Sequence, residues 1–248
     1  MLLGYTAAQI RAAEAPLLAA GVPLMQRASA ALAREVRALL GRDDARILLL
    51  VGSGNNGADA LYAGAILAEG GADVTIVRTG DRVHAAAYGS ALAAGARDPG
   101  ADAASGDRPS GAGDPTPAEV AGLAASVDLV VDGILGTGTG ANPALRGRGR
   151  ELVAAVLAAG ATAPVVAVDI PSGIGPDDGS VPDPCVLRAT LTVTFGGYKA
   201  GLLLDPARGY AGEVRLIDIG LGEELAEVEP VLRVEAGGAS TGSATGAG

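Results

Sequence analysis

Residues 45–59 read ARILLLVGSGNNGAD. An apolar run, Ile47 to Val51, leads into Gly52-Ser53-Gly54-Asn55-Asn56-Gly57, and good helix formers follow from Ala58 to Leu67. A strand, a G-x-G-x-x-G turn and a helix in that order open a dinucleotide-binding α/β unit. The glycines admit positive φ and let backbone N–H groups approach phosphate oxygens, and the helix start adds partial positive charge. Two adjacent asparagines and Asp59 nonetheless stand where such a turn usually carries packing residues. This turn offers three oxygen-bearing side chains as well as its backbone.

Outward from that turn the pattern repeats. Apolar, Val/Ile-rich runs at 46–51, 73–78, 128–132, 164–169, 190–195 and 213–218 read as buried parallel strands. Helical stretches at 58–69, 84–95, 117–125 and 147–159 alternate with them. Two further helices lead the chain. One starts near Ala7 behind a capping box (Thr6 to Gln9) and stops at Gly21; the other runs from Pro23 to Leu40 before Gly41. The alternation predicts a Rossmann-like α/β fold, a mostly parallel sheet covered by helices on both faces. Two segments fall outside it. Residues 97–117, rich in Gly, Ala, Pro, Asp and Ser, read as an exposed, dispensable loop, and 231–248 as a flexible tail or linker stub after a domain spanning 1–230.

The chain has 248 residues, 49% of them hydrophobic, enough for one α/β domain with a full core. With one Phe and no Trp, that core is built from Ala, Val, Leu and Ile. A formal charge of −10 argues against a nucleic-acid partner, because phosphate contacts need clustered Lys and Arg. Cys185 is the lone cysteine, which excludes an intrachain disulfide and a cysteine-based metal site. His84, the lone histidine, is expected on an exposed helix far from any site, so zinc is disfavoured. No signal-peptide pattern and no long apolar span appear, and a soluble cytoplasmic protein without a membrane partner is expected.

Ligands of open α/β sheets sit beyond the carboxyl ends of the strands. Four polar, glycine-rich turns fall there: 52–59, 132–143, 169–179 and the stretch around Lys199. Asn56, Asp132 and Ser172 bring amide, carboxylate and hydroxyl oxygens, the donors that hard cations choose; one carboxylate among neutral oxygens suits a monovalent ion. A hydrogen-bonded turn without metal is the even alternative. Asp169 ends an apolar strand, where restricted water favours a carboxyl that exchanges protons near neutrality. From spacing alone Lys199 is either a charge for a phosphate or oxyanion or an ordinary surface lysine. Arg78 stands where a 2′-phosphate reader would, although a solvated surface residue is the commoner outcome.

Together GSGNNGADAL, VDGILGTGTG, VDIPSGIGPDDG and TVTFGGYKAGLL resemble the signature stretches of the NAD(P)HX epimerase family, the YjeF N-terminal domain. The likeness runs from about residue 5 to 220 and includes the two leading helices. It implies a Rossmann-like three-layer α/β/α sandwich and interconversion of the R and S epimers of hydrated NADH and NADPH, in which C6 of the reduced ring carries a hydroxyl. It further implies substrate contacts from Asn55, Asn56, Gly57, Ala58 and Asp59, from Gly136, Thr137, Gly138, Thr139, Gly140, Ala141 and Asn142, and from Asp169. Asn56, Asp132 and Ser172 are then potassium ligands and Asp169 the substrate-facing carboxylate; Asp169 and Lys199 are the candidate catalytic residues. Ala58 replaces the family's more usual glycine and is expected to restrict the turn slightly. An NAD(P)HX dehydratase, ADP- or ATP-dependent, is the implied pathway partner or missing C-terminal domain, and a homodimer is left open. Two rivals stand beside this reading: a Rossmann NADP oxidoreductase, and a non-catalytic nucleotide-binding or protein-interaction scaffold of the same fold.

Overall fold

The computed structural model describes residues 1–104, 113–138 and 142–235. Thr139, Gly140 and Ala141 of the glycine-rich loop, the centre of the 97–117 segment and the tail beyond 235 lie outside the described residues. Six strands form one parallel sheet: β2 (Arg46–Val51), β3 (Asp73–Arg78), β4 (Leu129–Gly133), β5 (Val165–Val168), β6 (Leu191–Phe195) and β8 (Glu213–Ile217), in the order β3-β2-β4-β5-β6-β8. Each lies within a residue or so of its expected span.

Strand alternation distributes the core between two layers. Ile47, Leu49 and Val51 face α2 (Leu24–Leu40), α3 (Asn55–Glu69) and α4 (Ala85–Ala93), together with Leu32, Val36 and Leu61. Leu48 and Leu50 face α6 (Pro117–Ser126) and α7 (Gly147–Ala158), with Val120, Leu152 and Val156. Both faces are therefore covered, which is why the strands read as continuous apolar runs rather than alternating ones.

A second sheet, absent from the sequence reading, ties the chain's first and last strands to the site. β1 (Leu2–Tyr5) pairs in parallel with the two-residue β7 (Tyr198–Lys199), bringing Tyr5 opposite Lys199, and antiparallel with β9 (Leu232–Val234). The tail expected from 231 thus begins as a strand, so the ordered domain extends past the expected boundary. Helix α1 (Ala7–Ala19) leaves this sheet through the expected capping box, Gln9 N–H donating to Thr6 Oγ1 at 3.1 Å. Three short helices were likewise not foreseen: α5 (Pro99–Ala104), α8 (Arg208–Ala211) and α9 (Gly222–Ala226).

The described ends of the 97–117 segment, 97–104 and 113–117, are tied to β3 and α6 where composition alone suggests an exposed loop. Arg97 bridges Thr75 at the edge of β3, Pro99 opens α5, and Thr116 caps α6 with Glu119 in a capping box. Asp98, 1% exposed, pairs with Arg78 at 2.8 Å and accepts from the Tyr88 hydroxyl at 2.6 Å. A few specific polar contacts hold these residues, and polar contacts leave no apolar periodicity to read.

Candidate active site

The carboxyl ends of β2, β4, β5 and β6 open on a cleft of about 670 Å³, a size suited to a drug-sized ligand or part of a dinucleotide. Its floor is the turn after β2. Gly52 N–H donates to the Gly133 carbonyl at 3.0 Å, locking the turn to β4. A Cβ on Gly52 would collide with the Ile134 carbonyl, and one on Gly57 with the Gly52 carbonyl. Neither glycine has positive φ, so close approach alone is the reason for glycine there. Ala58 is fully buried inside the first turn of α3, where alanine is the preferred helix former, and the expected restriction of the turn does not arise.

The three expected cation ligands do meet. The Asp132 carboxylate is fully buried and accepts from the Ser172 hydroxyl at 2.6 Å, Ser172 N–H at 2.8 Å and Ile134 N–H at 3.3 Å. No cationic side chain pairs with it among the described residues. Burial pushes its carboxyl above the ordinary value, and the Ser172 and Ile134 hydrogen bonds work against that rise. Ser172 Oγ also accepts from Leu135 N–H at 2.8 Å. The Asn56 amide points at the carbonyls of Leu135, at 3.2 Å, and Val168. Carboxylate, hydroxyl, amide and two main-chain carbonyls thus gather behind the cleft floor.

Asp169 and Lys199 form the second centre. Asp169 is the sole non-glycine residue with positive φ among the described residues, at 66°. Such backbone is uncommon outside glycine and is held here by Asp169 N–H donating to Val193 O at 2.8 Å. The twist presents Oδ1 to Thr194 Oγ1 and to Phe195 N–H, each at 3.1 Å, and to the Lys199 ammonium in a direct ion pair. Lys199 is 2% exposed and also donates to Phe195 O at 2.9 Å and Thr194 Oγ1 at 3.1 Å. Of the two readings open for Lys199, the surface one is wrong: this lysine is buried and serves a carboxylate.

Two more carboxyls share the cleft. Asp59, on α3, accepts from Ser29 Oγ at 3.1 Å. Burial pushes it up to about 8, opposed by the Ser29 hydrogen bond and assisted by the charges of Asp169 and Glu14. Glu14 comes from α1, whose Ile10, Glu14 and Leu18 form the wall facing the sheet edge at helical spacing. Burial raises its carboxyl too; Lys199 opposes and Asp169 adds to the rise. Sequence reasoning missed Glu14. Its signal is a single acid among apolar residues, Ala12-Ala13-Glu14-Ala15-Pro16-Leu17, and nothing local says which face of α1 is covered.

Asn55, Asn56, Asp59, Gly136, Thr137, Gly138, Asp169 and Lys199 therefore converge on one cleft. Gly57 and Ala58 lie buried behind it, and Asn142 instead lines a neighbouring cavity of about 290 Å³ on the far side of Ile134 and Leu135. Arg78 is bound by Asp98 and Asp114, which withdraws the 2′-phosphate reader on which the oxidoreductase alternative leaned. His84 is not merely exposed: its Nδ1 accepts from Ala87 N–H at 3.2 Å as the cap of α4. No described helix is long and apolar enough to cross a membrane.

This is a doubly wound α/β domain with a buried carboxylate–lysine pair at the rim of its sheet, where open α/β sheets take their ligands. The YjeF-related protein N-terminus family matches residues 21–201, and the chain belongs to that family. It is 52% identical over 234 residues to the NAD(P)H-hydrate epimerase of Clavibacter michiganensis, covering 93% of this chain and 95% of that one. The NAD(P)H-hydrate epimerase of Clavibacter sepedonicus is 54% identical, with the same two coverages. The bifunctional NAD(P)H-hydrate repair enzyme of Mycobacterium tuberculosis is 40% identical, and there this chain spans 41% of its relative. Among solved structures, the yeast protein ynu0 (YNL200c) superposes with a TM-score of 0.70 over 95% of this chain and 98% of that one; at 17% identity it speaks for the fold alone.

Proposed function

We infer that this chain interconverts the R and S epimers of hydrated NADH and NADPH, an isomerase reaction of nicotinamide nucleotide repair. The observation that carries this reading is the convergence of four separate strand-end turns, with Asp169 and Lys199 among them, on one cleft in a chain more than half identical to named epimerases. The hydrate's C6 hydroxyl lies beside the ring nitrogen. Protonation of that hydroxyl lets water leave with the C–O electron pair, and the nitrogen lone pair stabilises the resulting iminium. Water then adds to the other face and gives up a proton. Asp169 is the group that exchanges this proton, and its negative charge stabilises the ring cation. Lys199 holds the carboxylate in place. Asn55, Asn56, Asp59 and Gly136 to Gly138 hold the dinucleotide, and Asn142 reaches it from the neighbouring cavity.

A potassium ion belongs in this reading to Asn56, Asp132 and Ser172, with the carbonyls of Leu135 and Val168. What supports it is a fully buried carboxylate without a cationic partner among the described residues, surrounded by neutral oxygens. Amide ends are interchangeable in shape, so Asn56 turned over would offer its oxygen to the same group. A bound monovalent cation supplies fixed positive charge that neutralises Asp132 and ties three turns together. The S epimer produced here passes to a dehydratase. The bifunctional relatives are longer than this chain, and we assign that second activity to their additional length.

The test starts from purified R-NADPHX, follows the S epimer chromatographically, and subtracts the spontaneous rate. Catalysed approach to the epimeric mixture is expected, faster in potassium than in choline chloride, with a higher melting temperature in potassium. Turnover no faster than the blank overturns the epimerase reading, and identical melting in the two salts overturns the cation site.

A further inference from the structure

We propose that Glu14 is the second acid–base group of this site, working on the face of the nicotinamide ring opposite Asp169. The proposal rests on the epimerase reading above. Inversion at C6 requires hydroxyl to leave one face of the ring and water to arrive on the other. One carboxyl held at a fixed point serves one face well and the opposite face poorly, since a proton donor must lie within hydrogen-bond reach of its target.

Asp169 is fixed. Its left-handed backbone, Phe195 N–H, Thr194 and Lys199 leave its carboxylate no freedom to cross the cleft. Glu14 stands on a different element. The pairing of Tyr5 with Lys199 in the small sheet seats α1 over the cleft, and Ile10, Glu14 and Leu18 project into it. Four charged or titratable groups accompany Glu14 there: Lys199, Asp169, Arg11 and Asp59. Arg11 is engaged with the Thr137 carbonyl at 3.3 Å. Glu14 itself carries no hydrogen bond or ion pair among the described residues, although it is only partly exposed. Asp59, the other carboxyl in the cleft, is 7% exposed and tied to Ser29, so it is the less mobile candidate. The burial that raises the Glu14 carboxyl keeps a proton on it nearer neutrality than an exposed glutamate would.

Protonated Glu14 gives its proton to the C6 hydroxyl on its side; the C–O bond breaks and its electrons leave with water. The ring nitrogen lone pair becomes the second bond of C=N. Water attacks C6 from the Asp169 side, forming the new C–O bond, and its proton passes to Asp169 as the C=N pair returns to nitrogen. Asp169 then releases its proton to solvent water and Glu14 takes one up, which readies both carboxyls for the next turnover; conversion of the other epimer runs the same steps with the two roles exchanged.

Wild-type protein and Glu14→Gln, checked for equal melting temperature, are given each purified epimer in heavy-oxygen water. In Glu14→Gln, inversion is expected to fall by about 10²–10⁴. The epimer whose hydroxyl lies on the Asp169 side should still exchange its oxygen without inverting, because departure and return on that face need only Asp169. Glu14→Asp should restore part of the inversion. Inversion within a few-fold of wild type overturns the proposal, as does parallel loss of label uptake from both epimers. Wild-type protein that inverts neither epimer overturns the epimerase reading, and the role of Glu14 falls with it.

Discussion

Asp169 carries two burdens at once, a backbone conformation that most side chains avoid and a carboxylate paired with a buried ammonium. Asparagine, like aspartate, tolerates left-handed backbone better than most non-glycine residues, so Asp169→Asn removes charge and proton exchange without adding backbone strain. Its kcat on NADPHX is expected to fall by about 10²–10⁴, with KM within a few-fold, in the epimer assay. The same variant leaves the Lys199 amine 2% exposed and without its counter-ion, which costs on the order of 3 kcal/mol in urea unfolding. Adding Lys199→Met should recover most of that stability while activity stays lost. Stability that Lys199→Met does not recover would overturn the counter-ion account, and undiminished turnover in Asp169→Asn would remove the pair from the reaction. Of this centre, the sequence showed Asp169 by its place after an apolar strand. Lys199 stayed ambiguous, because a lysine's burial depends on a partner thirty positions away that spacing does not reveal.

Among the elements, those built on apolar runs were legible and those built on single polar contacts were not. The six strands of the main sheet stand within a residue or so of their expected spans because both faces of each are buried. β1 and β9 are four and three residues long and are held by pairing with segments distant in sequence, so neither is visible alone. Residues 97–104 read as a loop because what holds them is Asp98 on Arg78 and Tyr88. That reading has a measurable consequence. Arg78→Met strands the Asp98 carboxylate, 1% exposed, and should lower stability by about 2–4 kcal/mol in urea unfolding, while turnover per folded molecule changes little. A Gly-Ser replacement of 97–117 should do at least as much damage. An unchanged unfolding midpoint in both variants would return the segment to the status of a dispensable loop.

For the molecule as a whole, the net charge of −10 and the buried carboxyls act in the same direction with pH. Asp59 is raised from 3.8 to about 8 in the folded state, so the native protein holds a proton that the unfolded chain has released. Its stabilising contribution is full below about pH 4 and is lost as pH rises through about 8. The raised carboxyl of Glu14 has the same sign. The urea midpoint should therefore fall from pH 5 to pH 8, and Asp59→Asn, which still accepts from Ser29, should flatten that fall. A wild-type midpoint that rises over this range would contradict the burial of these groups. The small sheet, finally, bears on the order of assembly. α1 is translated early, yet β1 beside it needs β7 and β9, which leave the ribosome late. Contacts between distant parts of a chain form slowly because loop closure precedes their reward. A nascent chain stopped before β7 should therefore already protect β2 and β4 from hydrogen exchange while α1 stays undocked, so the site is completed by the last segment of the domain to arrive.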